Sequence, residues 1–131
     1  MGGYSVGGHA ATNAAAGLMI TDGTKVEGFM FYGPSPTGTI NIQTGPSLTN
    51  INANTLIENA WLPGAGLAWF RMDDGVTTSG KRTFYLSFDG ITFIQIYQES
   101  NTQYLTPTTI GYFVDAYDQG TYSVIDVLHW A

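Results

Sequence analysis

Glycine and proline are scattered along this chain instead of gathered in linkers, 17 and 5 of them in 131 residues. That scatter constrains the fold more than any other feature. Helix interiors tolerate neither residue well, whereas turns between short strands require both. No segment of a dozen residues keeps apolar side chains at i, i+3 and i+4. What recurs is a short run of β-branched and aromatic residues followed by a turn signal. The runs are Ala16–Thr21, Val26–Tyr32, Gly38–Gln43, Leu67–Met72, Arg82–Phe88, Ile91–Tyr97, Ile110–Ala116 and Tyr122–Trp130. They predict an all-β chain, most simply an antiparallel two-sheet β-sandwich.

The strongest local signal is the segment Thr83–Ile96, which carries Asp89-Gly90 at its middle. Asp-Gly suits a two-residue type I′ turn, so the spacing predicts a hairpin with Phe88 opposite Ile91, Leu86 opposite Phe93 and Phe84 opposite Gln95. Phe84, Leu86, Phe88, Ile91 and Phe93 then share the core face, and Tyr85, Ser87, Thr92 and Ile94 share the other. Asp22-Gly23 and Asp73-Asp74-Gly75 read as further turns. Pro34, Pro36 and Pro46 bracket Gly38–Gln43 and predict an edge strand or exposed loop, because proline cannot donate to a central ladder. Gly45–Gly66 has no clear period. Leu56, Ile57 and Trp61 are its packing points, and a short helix is one reading of Asn54–Ala60.

Composition narrows the function. The chain is 44% hydrophobic and 11% charged, with net charge −6 and four basic residues, Lys25, Arg71, Lys81 and Arg82. Four cations on an acidic chain cannot build the basic surface that phosphate neutralisation requires, so no nucleic-acid partner is expected. No apolar run approaches the roughly 18 residues of a membrane-spanning helix, and no membrane partner is expected. The N-terminus has neither a basic nor an apolar leader segment. There is no cysteine, which removes disulfides and thiolate chemistry.

Hydrolytic and metal motifs are absent. Retaining glycoside hydrolysis needs two carboxyl groups about 5 Å apart, which alternation along one strand can supply. Two residues beyond Glu27, Glu58 and Glu99 stand Phe29, Ala60 and Asn101, not carboxylates. No G-x-S-x-G is present, and His9 and His129 lie near opposite ends of the chain. Asp73-Asp74 and Asp115-x-x-Asp118 offer oxygen ligands, but no calcium-loop spacing joins them, and Asp73, Asp89 and Asp118 read as turn residues. We expect no enzyme activity, no cofactor and no metal. Aromatic faces cover the apolar side of a pyranose, and that chemistry selects Trp61, Tyr85, Tyr97, Tyr112 and Tyr117 as candidate ligand-binding residues.

The order of segments is itself distinctive. Ala16-Gly17-Leu18-Met19-Ile20 and Phe29-Met30-Phe31-Tyr32-Gly33 precede Trp69-Phe70-Arg71-Met72. Phe84–Phe93 with its Ser87-x-Asp89-Gly90 turn follows, then Tyr104–Tyr112 and Val124–Trp130. Over roughly Ala16 to Trp130 this series resembles the C-terminal two-thirds of concanavalin A-like lectin/glucanase domains, the jelly-roll sandwiches found in carbohydrate-binding modules and in phage tail and virion proteins. The resemblance implies a sandwich domain over 16–131. Residues 1–15 then stand in place of further N-terminal strands, as a flexible Gly/Ala-rich segment or an edge strand. It also implies a non-enzymatic virion part, a capsid decoration or a tail or fibre adhesin module. Its partners would be other virion proteins and host-surface carbohydrate, and its place an extracellular particle. A carbohydrate-binding module of a secreted or cell-surface protein is the alternative. Missing strands would leave open sheet edges, so the chain is further expected to form a homo-oligomer.

Overall fold

A computed structural model describes residues 2–7, 15–32, 39–51, 53–60, 68–115 and 124–130. The described residues are all strand and turn. The strands are β1 Gly2–Gly7, β2 Ala15–Thr21, β3 Val26–Tyr32, β4 Thr39–Gly45, β5 Asn54–Ala60, β6 Trp69–Asp74, β7 Lys81–Ser87, β8 Ile94–Ser100, β9 Thr109–Asp115 and β10 Val124–Trp130. They form two five-stranded sheets, β10-β1-β6-β7-β8 and β5-β4-β3-β2-β9. Every pairing is antiparallel. The expected antiparallel two-sheet sandwich is what the chain forms.

Period-two alternation aims one face of each strand into the space between the sheets. From the second sheet come Ala16, Leu18 and Ile20 of β2, Phe29 and Phe31 of β3, and Ile40 and Ile42 of β4; the first contributes Phe70 and Met72 of β6 and Phe84 and Leu86 of β7. Phe29 is the keystone, with ring centroids 4.6 Å from Phe70 and 5.5 Å from Phe84, the latter edge-on. Burying each ring contributes about 1.5–3 kcal/mol, and each ring pair adds about 0.5–1.5 kcal/mol. Gly17 lets β2 and β3 approach, since a Cβ there would overlap the Phe29 carbonyl.

Four expectations are corrected. Asn54–Ala60 is strand β5, hydrogen-bonded to β4 across a register shift, not a helix. β4 lies between β3 and β5, not at an edge; Pro46 follows the strand, so its missing N–H costs the ladder nothing. β1 lies between β10 and β6, so residues 2–7 are an interior strand, neither a flexible segment nor an edge. Residues 8–14 lie outside the described residues. The sequence missed β1 because three of its six residues are glycine and carry no alternation to read.

The fourth concerns the hairpin. β7 and β8 pair as expected, but the connecting loop is wider than two residues. Leu86 faces Ile94 and Tyr85 faces Gln95, with a register shift between Phe84 and Tyr85. Side chains explain the widening. The Asp89 carboxylate accepts the Ile91 and Thr92 amides and the Ser87 hydroxyl, while Ser87 Oγ accepts the Gly90 amide. These bonds replace the strand pairing a type I′ turn would have started. Phe88 and Ile91 stay exposed, and Phe93 swings over the outer face of the first sheet instead of entering the core.

Candidate functional site

Three places on this framework hold functional side chains: a buried ionic cluster, a cleft, and the outer face of the first sheet. In the cluster, Arg82 of β7 points inward and is wholly buried. Its Nη1 donates to Glu27 of β3 and Glu99 of β8, both at 2.8 Å, and its Nη2 donates to the carbonyls of Asn101 and Leu105. Asp74 stands 3.3 Å from Nε, an ion pair without hydrogen-bond alignment. Three carboxyl groups thus share one guanidinium. Burial, and next the Glu99 charge, push Glu27 up to about 8 against the pull of Arg82. Burial and the same two glutamates also raise the Tyr97 phenol.

The strand-by-strand search for paired carboxylates missed this meeting, because Glu27 and Glu99 come from different sheets. Each is at most 4% exposed, so an incoming glycoside has no route to the pair. It ties the two sheets together. Among the described residues no group of His, Asp and Glu has the arrangement to hold a metal ion.

The cleft has a volume of about 340 Å³ and lies where the β6–β7 turn meets the segment entering β9; Ile20, Met72, Pro107 and Ile110 line it with several polar side chains. Arg71 is part of that lining, and Asp73, Asp74 and Thr108 within it are already engaged. Burial alone would raise Asp73, but the Thr77 hydroxyl and the Val76 and Thr77 amides hydrogen-bond its carboxylate and hold it below the usual range. Asp74 faces Arg82, and the Thr108 hydroxyl donates to the Thr21 carbonyl.

The outer face of the first sheet is different. Trp69 and Arg71 alternate with the core residues Phe70 and Met72, so both point outward beside Ser87 and Tyr85 of β7. The Arg71 guanidinium lies 5.0 Å from the Tyr85 ring centre and 5.8 Å from that of Phe93. The wide β7–β8 loop folds against Trp69, whose indole would lie 3.0 Å from a Cβ on Gly90. Gln95 is exposed beside Tyr85 in the ladder, and further along the same face Gln98 donates to Thr83 at 3.0 Å. Aromatic rings, amides and one cation therefore share a single sheet surface.

Of the selected aromatic residues that the structure describes, Tyr85 alone belongs to this surface. Tyr97 points inward, its ring 5.8 Å from that of Phe84. Tyr112 is 57% exposed on β9, an edge strand of the other sheet. Trp61 and Tyr117 lie outside the described residues. Trp69, Arg71 and Phe93 were not singled out. Strict alternation in Trp69-Phe70-Arg71-Met72 could have exposed the first two, whereas Phe93 depended on the shape of the loop. No protein-family model matches the chain, and no curated protein or solved structure is significantly similar to it.

Proposed function

We propose that this chain is a non-enzymatic structural protein of a phage virion, a capsid decoration or a tail or fibre adhesin module of lectin-like jelly-roll type. Its sandwich contacts host-surface glycans through the outer face of the first sheet. The observation that carries the glycan reading is the group Trp69, Arg71, Tyr85 and Phe93 on one sheet face, with Gln95 beside it. Flat apolar rings cover sugar C–H faces, and amide and guanidinium N–H groups donate to hydroxyls. The virion reading rests on the low charge, the absence of cysteine and the resemblance in segment order.

Association of copies follows from β9. Among the described strands β9 pairs with β2 alone, and it exposes Ile110 and Tyr112, surface of the kind that a neighbouring subunit covers in a closed ring or trimer. A glycan array on the purified chain tests the first reading. Light scattering after size exclusion tests the second, where a monomer at high micromolar concentration would count against assembly. Finding the chain by mass spectrometry in purified particles distinguishes a virion part from a secreted carbohydrate-binding module. Turnover of laminarin that disappears on Glu27→Gln would overturn the non-enzymatic reading.

A further inference from the structure

Four basic residues serve the whole chain, and the structure uses them unequally. Arg82 donates four hydrogen bonds to carboxyl and carbonyl oxygens in the core, and its Nε stands 3.3 Å from Asp74. Lys25 lies over the Tyr104 ring and donates to the Tyr104 carbonyl. Lys81 is exposed at the start of β7. Arg71 is held between two rings and makes no direct ion pair with any carboxylate whose side chain is described, although its charge reaches Asp73. Its Nε is buried and has no hydrogen-bond partner. The nearest acid on its strand face, Asp73, feels the Arg71 charge but accepts its hydrogen bonds from Val76 and Thr77.

An unpaired buried N–H is costly and rare in folded chains. Here two rings hold the guanidinium that carries it. Ring contact leaves the planar fork ordered before any ligand arrives, so little freedom is lost on forming two parallel N–H···O bonds. That fork matches a carboxylate. Trp69 and Tyr85 flank it with flat apolar surface, and Gln95 adds an amide. The group therefore fits a ring with one apolar face, hydroxyls at its rim and a carboxylate as substituent.

We infer that the Arg71 face selects carboxylated saccharides, of the uronic or sialic acid type, over their neutral counterparts. This rests on the glycan-contacting reading above and names the class of sugar. Net charge −6 repels acidic ligands at long range, so the selectivity must come from contact at Arg71 and not from a general attraction. A charge-assisted bidentate contact corresponds to roughly 10–100-fold in affinity, or about 1.4–2.8 kcal/mol.

The test uses the whole chain and titration calorimetry with two matched pairs of probes: oligogalacturonate against its methyl ester, and sialyllactose against lactose. The expected result is that at least one acid binds roughly tenfold or more tighter than its neutral partner. Arg71→Met should remove that preference while its melting temperature stays near wild type, and Arg71→Lys should restore it only in part. Neutral sugars bound as well as acids would overturn the inference and leave the glycan reading standing. An acid preference that survives Arg71→Met would overturn the assignment to this face. No binding to either class would overturn both readings. The ester comparison needs no variant, so misfolding of a mutant cannot obscure the outcome.

Discussion

Arg71 and Arg82 stand eleven residues apart on neighbouring strands, on opposite faces of one sheet, and they live in opposite chemical worlds. Arg82 is inside, wholly buried, with three carboxyl groups and two backbone carbonyls around its guanidinium. Arg71 is outside, held between two rings and within reach of the Asp73 charge, with no direct ion pair among the described side chains. A charge can be buried only where partners repay its desolvation, so Arg82 marks architecture. A charge held in place and left unpaired on a surface marks a place for something else to bind. Residue type does not distinguish the two roles; the partners do.

Removing the inner arginine should have the largest effect. Arg82→Met leaves Glu27 and Glu99 buried without their cation, and we expect about 3–5 kcal/mol lost in urea denaturation. A loss below that of an ordinary surface substitution would break the contrast between the two sites.

The inner cluster should also shape the pH dependence. Glu27 sits at about 8 in the fold against 4.5 as its ordinary value, so the fold favours its protonated form. Its contribution is whole below about 4.5 and is lost as pH rises through about 8. Melting temperature should fall across that window in the wild type and flatten in Glu27→Gln, which mimics the protonated acid. Asp89 runs the other way. Hydrogen bonds from the Ile91 and Thr92 amides and the Ser87 hydroxyl hold it at about 2 against 3.8. Its contribution is present above 3.8 and lost as pH falls through about 2, so Asp89→Asn should mainly change the acid limb.

The loop that joins the two regions is the next test. Gly90 has φ 73°, and a Cβ there would meet the Trp69 indole at 3.0 Å. Gly90→Val should cost roughly 1–3 kcal/mol and shift Trp69 fluorescence, because a β-branched residue resists positive φ and displaces the ring. The smallest stability change belongs to the outer arginine. Arg71→Met should lose only about 0.5–1 kcal/mol, the worth of exposed cation–ring contacts, although its effect on sugar binding is the larger one. A stability loss equal to that of Arg82→Met would mean that both arginines are structural.

Much of this molecule was written locally. Glycines and aspartates at 22–23, 74–75 and 89–90 stop strands, and β-branched and aromatic runs lie between them, so the all-β class and the core positions Phe84 and Leu86 of β7 follow from the chain alone. Alternation along β7 placed Tyr85 on an outer face. Three things were decided only in three dimensions. β1 has no side-chain pattern of its own and became an interior strand because β6 and β10 offered it hydrogen bonds on both sides. The β7–β8 loop widened because Ser87 and Asp89 captured its amides, and this carried Phe93 from its expected core position to Arg71. Glu27 met Arg82 across 55 residues of sequence, a pairing set by how the sheets stack. Period and turn chemistry act over a few residues and can be read along the chain. Partners of a buried or stacked charge are chosen by packing between distant segments, and no local pattern records them.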